Sequence, residues 1–460
     1  MNTFTLQHLN QKIKKVNARF PLVMAVILIW SSSLIINVWL QYQGDLVYMN
    51  FKFLLDFIIR LTALLIPLLF IRSLCMNNYS KKSARIATNI GCILGILFYS
   101  LDTFFWKVDI SSHIKINQEF IIILMILIVG IPIIPFMNNS ARGVWVVSNI
   151  LFTKLLKVMS LSLIFLLGLN LLFLIFDYVT HLKIDFWVYQ LGFILIACCL
   201  APLYFLSEIP IFNQAYKNDL PYPKFYIVFS TGYLLPVSVI TIISIYAVII
   251  NYLVQGSMLP MEIQIFFVII ATIVIWLMFQ LELVSVNFKK KYVFLFLKYI
   301  YLSILPLAII CLTQVIHYLT KNGITEFWYL IGMYLIWVLG ICIYFIVSKK
   351  RDIRVIPISL CIGLSLLLIK PLKPFNISVT SQYRHVLLEL KRLDRINNDN
   401  KFLFTYSNTL NSEDIVSVKE KLYFLNKHDS LSLLKKHYPY PIDDQALTMK
   451  RLITDLGLSN

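Results

Sequence analysis

The chain has few charged residues. Asp, Glu, Lys and Arg make up 14% of its 460 residues, whereas 59% are hydrophobic and the mean hydropathy is +0.78. A soluble domain has about a quarter of its residues charged. The composition therefore excludes an ordinary soluble protein and predicts an integral membrane protein.

Motifs of soluble enzymes are also missing from the sequence. It has no GxGxxG after a strand, no P-loop, no HExxH and no GxSxG. The seven histidines are scattered, and the seven cysteines include no CxxC pair and none after Cys361. These absences predict no metal site, no cofactor and no disulfide framework, and they favour a protein other than an enzyme.

Long apolar windows dominate what is present. A membrane-spanning helix needs about 20 mostly apolar residues, so each window of that length predicts one crossing. We predict an all-α integral membrane protein with about eleven transmembrane helices, at 21–40, 53–72, 87–106, 119–137, 158–177, 186–207, 226–254, 262–282, 298–318, 327–347 and 354–372.

The 41 Lys and Arg residues outnumber the 23 Asp and Glu, for a net charge of +18. Before the last span, most of them fall in the amino-terminal segment and in alternate loops. Because cationic loops stay in the cytoplasm, this pattern predicts a cytoplasmic amino terminus and, after eleven crossings, an extracytoplasmic carboxyl terminus. The positive charge therefore indicates the topology of a protein whose partner is the lipid bilayer. It gives no support to nucleic-acid binding.

The spans and loops divide the chain into five regions. The seam is a cytoplasmic loop that contains Pro221 and Pro223. The regions are a basic cytoplasmic segment (1–20), spans one to six (21–207), the proline-containing loop (208–225), spans seven to eleven (226–372) and a helical extracytoplasmic tail (373–460).

The tail alternates polar and apolar residues in three helical patterns. Asn411 and Asp443 are predicted to cap the second and third helices, and Gly457 to end the third. The tail is expected to form a small core and to offer 376–460 to an envelope protein partner. The residues predicted to face inward are Val386, Leu390, Leu393, Ile415, Val418, Leu422 and Leu425.

Six polar residues lie toward the predicted external ends of the spans. Ionisable groups in hydrocarbon are costly and need a partner or a purpose. One hypothesis is an outward polar recess that binds an ion, a lipid headgroup or a solute. The alternative is that Asp56 and Arg60 pair, Asp102 meets the same arginine, and the rest lie in headgroup water. The six residues are Asp56, Arg60, Asp102, Gln314, His317 and Glu326.

The segment NGITE, residues 322–326, separates two of the predicted spans. Gly323 is suited to end one helix, Thr325 to cap the next, and Glu326 to complement the positive end of that helix. This interpretation needs no chemistry from Glu326, and the sequence favours it over a catalytic role.

Several segments of the second half resemble a bacterial membrane-protein family catalogued as domain of unknown function 4153. They are YPKFYIVFSTGYLLPV from Tyr222, NGITEFWYL from Asn322, SKKRDIRVIPISL from Ser348 and FNISVTSQYRHVLLEL from Phe375, within about 210–395. The resemblance implies a multipass protein of the bacterial inner membrane, without an activity. The positions similar to family motifs are Gly323, Ile324, Thr325, Glu326, Tyr329, Ser381 and Gln382.

Three classes of function follow from these observations. The leading hypothesis is an envelope-associated binding, scaffolding or signalling component, in which the tail meets a partner. The second is a transporter or lipid-handling protein that uses the polar recess. The third is a membrane enzyme acting on an envelope substrate.

Overall fold

The computed structural model describes residues 6–78, 89, 118–136, 141–181, 183–210, 228–257, 259–288, 291–348, 351–397, 399–403, 411–428, 430–439 and 448–458. Within these ranges the chain is helical. It contains no β-strand there, only an isolated bridge between Ile396 and Phe402. The predicted all-α fold is confirmed for the described residues.

Fourteen helices are numbered here in chain order. They are α1 (Leu6–Arg19), α2 (Pro21–Gln43), α3 (Asp45–Asn78), α4 (Gln118–Gly130), α5 (Ala141–Thr180), α6 (Phe186–Glu208), α7 (Ser230–Val254), α8 (Met261–Phe288), α9 (Lys291–Asn322), α10 (Glu326–Val347), α11 (Val355–Leu366), α12 (Pro374–Arg392), α13 (Ser412–Lys427) and α14 (Met449–Asp455). Short 3-10 turns cover Ile134–Phe136, Lys370–Leu372 and Leu431–His437.

Eight of the described helices are long and apolar enough to cross a membrane. They are α2, α3 and α5 to α10, and they indicate a membrane location. Two further apolar helices, α4 and α11, have only 13 and 12 residues, fewer than the roughly 20 that a crossing needs. The predicted span 87–106 lies outside the described residues except for Asn89. The count of eleven spans therefore stays a prediction.

Helix α5 extends well beyond its predicted span. It starts at Ala141 and runs for 40 residues, whereas the apolar window begins at 158. Lys154 and Lys157 precede the apolar window but lie within the helix, and both ammonium groups pair with Glu208. A hydropathy window thus marks where a helix is apolar, not where it begins.

Two helices contain a wider, π-helical turn beside a proline. The segment Ile194–Leu200 precedes Pro202 in α6, and Ser230–Leu234 precedes Pro236 in α7. Proline has no N–H, and its ring crowds the carbonyl four residues earlier. A π-bulge moves that carbonyl aside, so both helices continue through the proline.

The chain divides into two compact units. Unit 1 comprises Met1–Ser230, Phe279–Lys289 and Asp352–Ser365. Its core joins the adjoining ends of α1 and α2 to the end of α3, the start of α5 and the end of α6. The buried core residues are Val16, Phe20, Val23, Ile27, Phe70, Leu74, Val144, Val147, Leu151, Leu206 and Ile209.

The second half of α5 leaves most of its apolar side chains exposed. Leu163, Ile164 and Phe165 are 58%, 66% and 60% exposed, although they are consecutive and therefore point in different directions. A helix that is apolar all round needs an apolar environment. Hydrocarbon is the environment that this segment fits.

Unit 2 comprises Thr231–Met278, Lys290–Arg351 and Leu366–Asn460. Its membrane part is organised around the antiparallel pair α9 and α10, in which the rings of Tyr301 and Phe345 stack at 4.7 Å. Tyr246 of α7 donates to the carbonyl of Ser303 at 2.6 Å, and Thr272 of α8 hydrogen-bonds Tyr334 at 2.6 Å. These polar contacts tie the neighbouring helices to the pair.

The carboxyl-terminal domain, formed by α12 to α14 and their connections, has its own hydrophobic core. The predicted inward residues are confirmed: Leu393 packs against the core, and the other six are buried in it. Gly457 has φ +63° just after α14, as a helix-ending glycine requires. The buried core consists of Val379, Val386, Leu390, Ile396, Phe402, Ile415, Val418, Leu422, Leu425, Leu431, Leu434, Tyr438, Leu452, Leu456 and Leu458.

Neither of the two helix caps predicted in this domain is observed as a capping hydrogen bond among the described residues. Asn411 does stand just before α13, but its side chain makes no capping hydrogen bond. Asp443 lies outside the described residues. The hydroxyl of Thr448, instead, accepts a hydrogen bond from the backbone N–H of Arg451 at the start of α14.

Candidate functional site

The turn between α9 and α10 is set by a glycine in a left-handed conformation. Helix α9 ends at Asn322, and Gly323 has φ +78°. This φ strains any residue with a Cβ. The prediction that Gly323 ends the helix is confirmed, and the chain leaves the turn to begin α10 at Glu326.

The turn is bound by helix α12, whose residues lie about 60 positions later in the chain. The backbone N–H of Ile324 donates to Ser381 Oγ at 2.9 Å. The side-chain amide of Gln382 donates to the carbonyls of Asn322 and Ile324 at 3.2 and 3.3 Å. Gln382 is only 2% exposed, so these bonds are protected from water. We call the turn 322–325 with Ser381, Gln382 and His385 the turn–α12 junction.

His385 completes the junction on the glycine side. A Cβ added to Gly323 would lie 2.9 Å from Gln382 Nε2 and 3.0 Å from His385 Cδ2. Burial lowers the pKa of His385, and the charge of Lys421 acts in the same direction while Glu389 opposes it. Burial and Lys421 therefore favour the neutral imidazole beside the turn.

A second hydrogen bond ties α10 to the segment before α12. The hydroxyl of Tyr329 donates to the carbonyl of Leu372 at 3.1 Å. Tyr329 lies one turn into α10, and Leu372 closes the short 3-10 turn that precedes α12. Both ends of the connection into the carboxyl-terminal domain are thus attached to the α9–α10 pair.

Glu326 faces the carboxyl-terminal domain. Its Oε1 lies 3.9 Å from Nδ1 of His428, and both side chains are mostly buried, at 16% and 13% exposed. The His428 ring contacts Phe424 and Phe375, with ring centroids 4.4 and 5.5 Å away. Glu326 is also in the first turn of α10, where a carboxylate favours the helix dipole. It therefore has both the predicted local role and a contact that the sequence did not predict.

The predicted cap at Thr325 needs correction. Thr325 does occupy the capping position, with extended backbone at φ −105° and ψ 156°, but its side chain makes no capping hydrogen bond. The carbonyl of Thr325 still accepts the first helical bond, from the N–H of Tyr329 at 3.0 Å. The order around the turn comes from Ser381 and Gln382 more than from Thr325.

The chemistry of the junction is that of a binding contact. A hydroxyl accepts a backbone N–H, a primary amide donates to two carbonyls, and a neutral imidazole packs beside them. These groups satisfy buried backbone atoms that would otherwise lose their water partners. The junction can therefore hold two parts of the chain in a fixed orientation.

Four other members of the predicted polar recess lie on α3 and α9. Asp56 and Arg60 lie one turn apart on α3 in unit 1, both half-buried, and near enough for their charges to attract. Asp102 lies outside the described residues. Gln314 is half-buried and His317 exposed on α9 in unit 2. The outward polar recess stays a prediction.

Among the residues that the structure describes, no three His, Cys, Asp or Glu side chains come close enough together to hold a metal ion. No family model, curated protein or solved structure matches the chain. The resemblance to domain of unknown function 4153 is therefore neither supported nor contradicted, and it remains a prediction.

Two histidines of the site were missed by sequence reasoning. His385 shares α12 with Ser381 and Gln382, and its spacing of three to four residues from them was a usable signal. His428 follows α13 and is 102 residues from its partner Glu326. Only the three-dimensional fold brings that pair together.

Proposed function

We propose that the chain is an envelope-associated binding or signalling component, in which the carboxyl-terminal domain engages a partner and transmits its state to the membrane helices. The domain has a core of its own, so it can present a defined surface. The turn–α12 junction gives it a fixed attachment to α9 and α10. A tail that served only as a spacer would need neither feature.

The buried Gln382 amide carries this proposal. It lies on the same helix as Val386 and Leu390, which are fully buried in the domain core, and it bonds the turn between two apolar helices. A displacement of α12 must therefore stretch or break these hydrogen bonds. The junction links the two parts of unit 2 mechanically.

We further propose the bacterial cytoplasmic membrane, with the amino terminus inside and the domain outside. Lys12, Lys154 and Lys157, from two segments predicted to be cytoplasmic, share the carboxylate of Glu208, which begins a third such segment. At the opposite end of α6 from Glu208, the ring of Trp187 packs on Tyr42 near the end of α2, with centroids 5.2 Å apart. A basic end and an aromatic end fit the rules for cytoplasmic and interfacial residues.

Site-specific photocrosslinking in cells tests the binding role. A photoreactive phenylalanine analogue replaces Leu388 or Tyr423, which are 63% and 56% exposed on the domain. The same analogue at Ile164, 66% exposed on the apolar α5, is the matched control. We expect a discrete protein adduct from the domain positions and none from position 164. Domain positions that yield no adduct would contradict the proposal.

A topology reporter fused after residue 458 tests the orientation separately. Alkaline phosphatase is active only outside the cytoplasm, so an active fusion is expected. Transport, lipid handling and catalysis remain the alternative predictions. Uptake or lipid scrambling by proteoliposomes would favour the second class, and turnover of an envelope substrate the third.

A further inference from the structure

Three lysines from two distant helices converge on one carboxylate in unit 1. Lys12 Nζ on α1 lies 2.9 Å from Glu208 Oε1, and Lys154 and Lys157 on α5 lie 3.1 and 3.0 Å from Glu208 Oε2. Glu208 is the last residue of α6 and is 14% exposed. The arrangement has three positive charges for one negative charge.

A cavity of 320 Å³ opens beside this cluster. It is lined by Gln11, Lys12, Lys15, Ser207 and Glu208. Lys15 adds a fourth positive charge, so the four lysines exceed the single carboxylate by three. An ammonium group has three N–H donors, and Lys12, Lys154 and Lys157 each give one to Glu208. A site that binds an anion needs hydrogen-bond donors and surplus positive charge, and this cavity has both.

The walls of this cavity are held in position by other contacts. The guanidinium of Arg19 donates to the carbonyls of Ile209 and Pro210 at 2.6 and 3.0 Å, which attaches α1 to the end of α6. The ring of Tyr204 lies 4.6 Å from the ammonium of Lys12 and 5.7 Å from that of Lys157. Lys12 and Lys157 are thus oriented before any ligand arrives, which lowers the entropic cost of binding.

The surroundings of the cavity distinguish between possible anions. On α5, the residues beside Lys154 and Lys157 are exposed apolar side chains: Leu155 and Leu156 are each 42% exposed, and Met159 is 59% exposed. The cavity thus lies where basic side chains give way to the apolar part of α5. A phosphate with acyl chains attached matches both surfaces, whereas free phosphate matches only the first.

We propose that this lysine cavity, lined by Lys12, Lys15 and Glu208 with Lys154 and Lys157 on the same carboxylate, binds the phosphate of an anionic phospholipid whose acyl chains lie along α5. Basic pockets between membrane helices are a known type of lipid headgroup site. The phosphate shares the ammonium groups with Glu208, so carboxylate and lipid compete. This site does not depend on the role proposed for the carboxyl-terminal domain.

Thermal unfolding of the full-length protein in neutral detergent tests the proposal. The probes are phosphatidylglycerol, phosphatidylcholine and inorganic phosphate, each titrated separately. We expect phosphatidylglycerol to raise the Tm in a saturable manner and the other two to leave it unchanged. An equal rise with phosphatidylcholine would overturn the phosphate assignment, because that lipid has no net charge. An equal rise with inorganic phosphate would overturn the lipid assignment.

Substitutions assign the effect to the cavity. Each lysine near an anionic lipid contributes about a fivefold change in affinity, so Lys12→Gln with Lys15→Gln should raise the half-saturating concentration of phosphatidylglycerol roughly 25-fold. Lys14→Gln is the matched control, because Lys14 is exposed on the same helix and does not line the cavity. Equal effects of the double variant and of the control would overturn the assignment.

Glu208→Gln provides a test that a general loss of folding cannot imitate. Because the variant removes the competing carboxylate, it should lower the half-saturating concentration of phosphatidylglycerol by about fivefold, even if its Tm without lipid is lower. The number of lipids retained in native mass spectrometry should rise accordingly. Unchanged or weaker lipid binding would show that these ammonium groups do not hold the phosphate.

Discussion

Ser381 accepts a hydrogen bond from the backbone N–H of Ile324 at 2.9 Å, across 57 residues of sequence. Ile324 belongs to the turn between two apolar helices, and Ser381 belongs to the first helix of the carboxyl-terminal domain. The next residue, Gln382, bonds the two carbonyls on either side of Gly323. The turn and the domain therefore form one structural element. A change in the conformation of one should alter the conformation of the other.

Gly323→Ala should destabilise the α9–α10 turn. The new Cβ would require φ +78° from an L-residue and would lie within 3.0 Å of both Gln382 and His385. Backbone strain of this kind costs about 1–3 kcal/mol. Thermal unfolding in detergent should show a lower Tm. Gly340→Ala is the control, since a Cβ there meets nothing within 4 Å, and it should leave the Tm unchanged or raise it.

Gln382→Ala should loosen the turn without unfolding the domain core. It leaves two part-buried carbonyls without this donor, where a fully buried one would cost about 1–3 kcal/mol. Hydrogen exchange by mass spectrometry should show faster exchange in peptides covering 322–326, with slow exchange retained at α13. Thr380→Ala, exposed on the same helix, is the control. Unchanged exchange in the turn would mean that Gln382 does not hold it.

Local features of this fold were predictable because they depend on neighbours in sequence. The left-handed Gly323 follows from its place between two apolar helices. The buried stripe of Val386 and Leu390 follows from the 3.6-residue period of α12. The segments with Gly323 and with Ser381 were both identified as motifs, but no pattern in one sequence shows that they touch.

Contacts between residues far apart in the sequence account for the features that the sequence did not predict. Lys12 and Glu208 are 196 residues apart, and each by itself resembles an ordinary helix-end charge. The same carboxylate pairs with Lys154 and Lys157, which lie in the part of α5 that precedes its apolar window. Thr325 occupies the predicted capping position without the predicted bond, because α12 already orders the turn. These contacts join residues that are far apart in the sequence, so no local pattern predicts them.

The stability of the carboxyl-terminal domain should fall in mild acid. Burial lowers the pKa of His437, and the charges of Lys436 and Lys401 lower it further, while the hydrogen bond with the carbonyl of Asn400 opposes them. Burial likewise lowers the pKa of His385. An unfolded imidazole binds a proton near pH 6.5, at about its ordinary pKa. Below that pH the unfolded chain holds more protons than the folded one, so stability is lost as pH falls.

Denaturant unfolding monitored across pH 8 to pH 5 measures this effect. Stability should be greatest above about pH 6.5, decline below it, and level off once the pH falls below the folded-state pKa values. His437 Nδ1 lies 2.6 Å from the Asn400 carbonyl, and Nε2 lies 2.5 Å from the Tyr383 hydroxyl, which therefore donates to the neutral ring. His437→Gln should flatten the decline. His317→Gln, exposed on α9, should not. An unaltered profile in His437→Gln would exclude this histidine as a source of the acid sensitivity.

Leu422→Ala should unfold the domain selectively if the domain owes its stability to its own core. Leu422 is fully buried on α13, and truncation of a buried leucine costs about 2–5 kcal/mol, a large fraction of the stability of a small domain. Limited proteolysis should then cleave after residue 373 while the fragment containing α2 to α10 stays intact in the membrane. Leu388→Ala is the matched control, because Leu388 is 63% exposed and its truncation removes little packing. If Leu422→Ala instead caused loss of the whole chain from the membrane, the domain and the α9–α10 pair would fold as one cooperative unit. The attachment through Gln382 would then be essential for folding as well as for coupling.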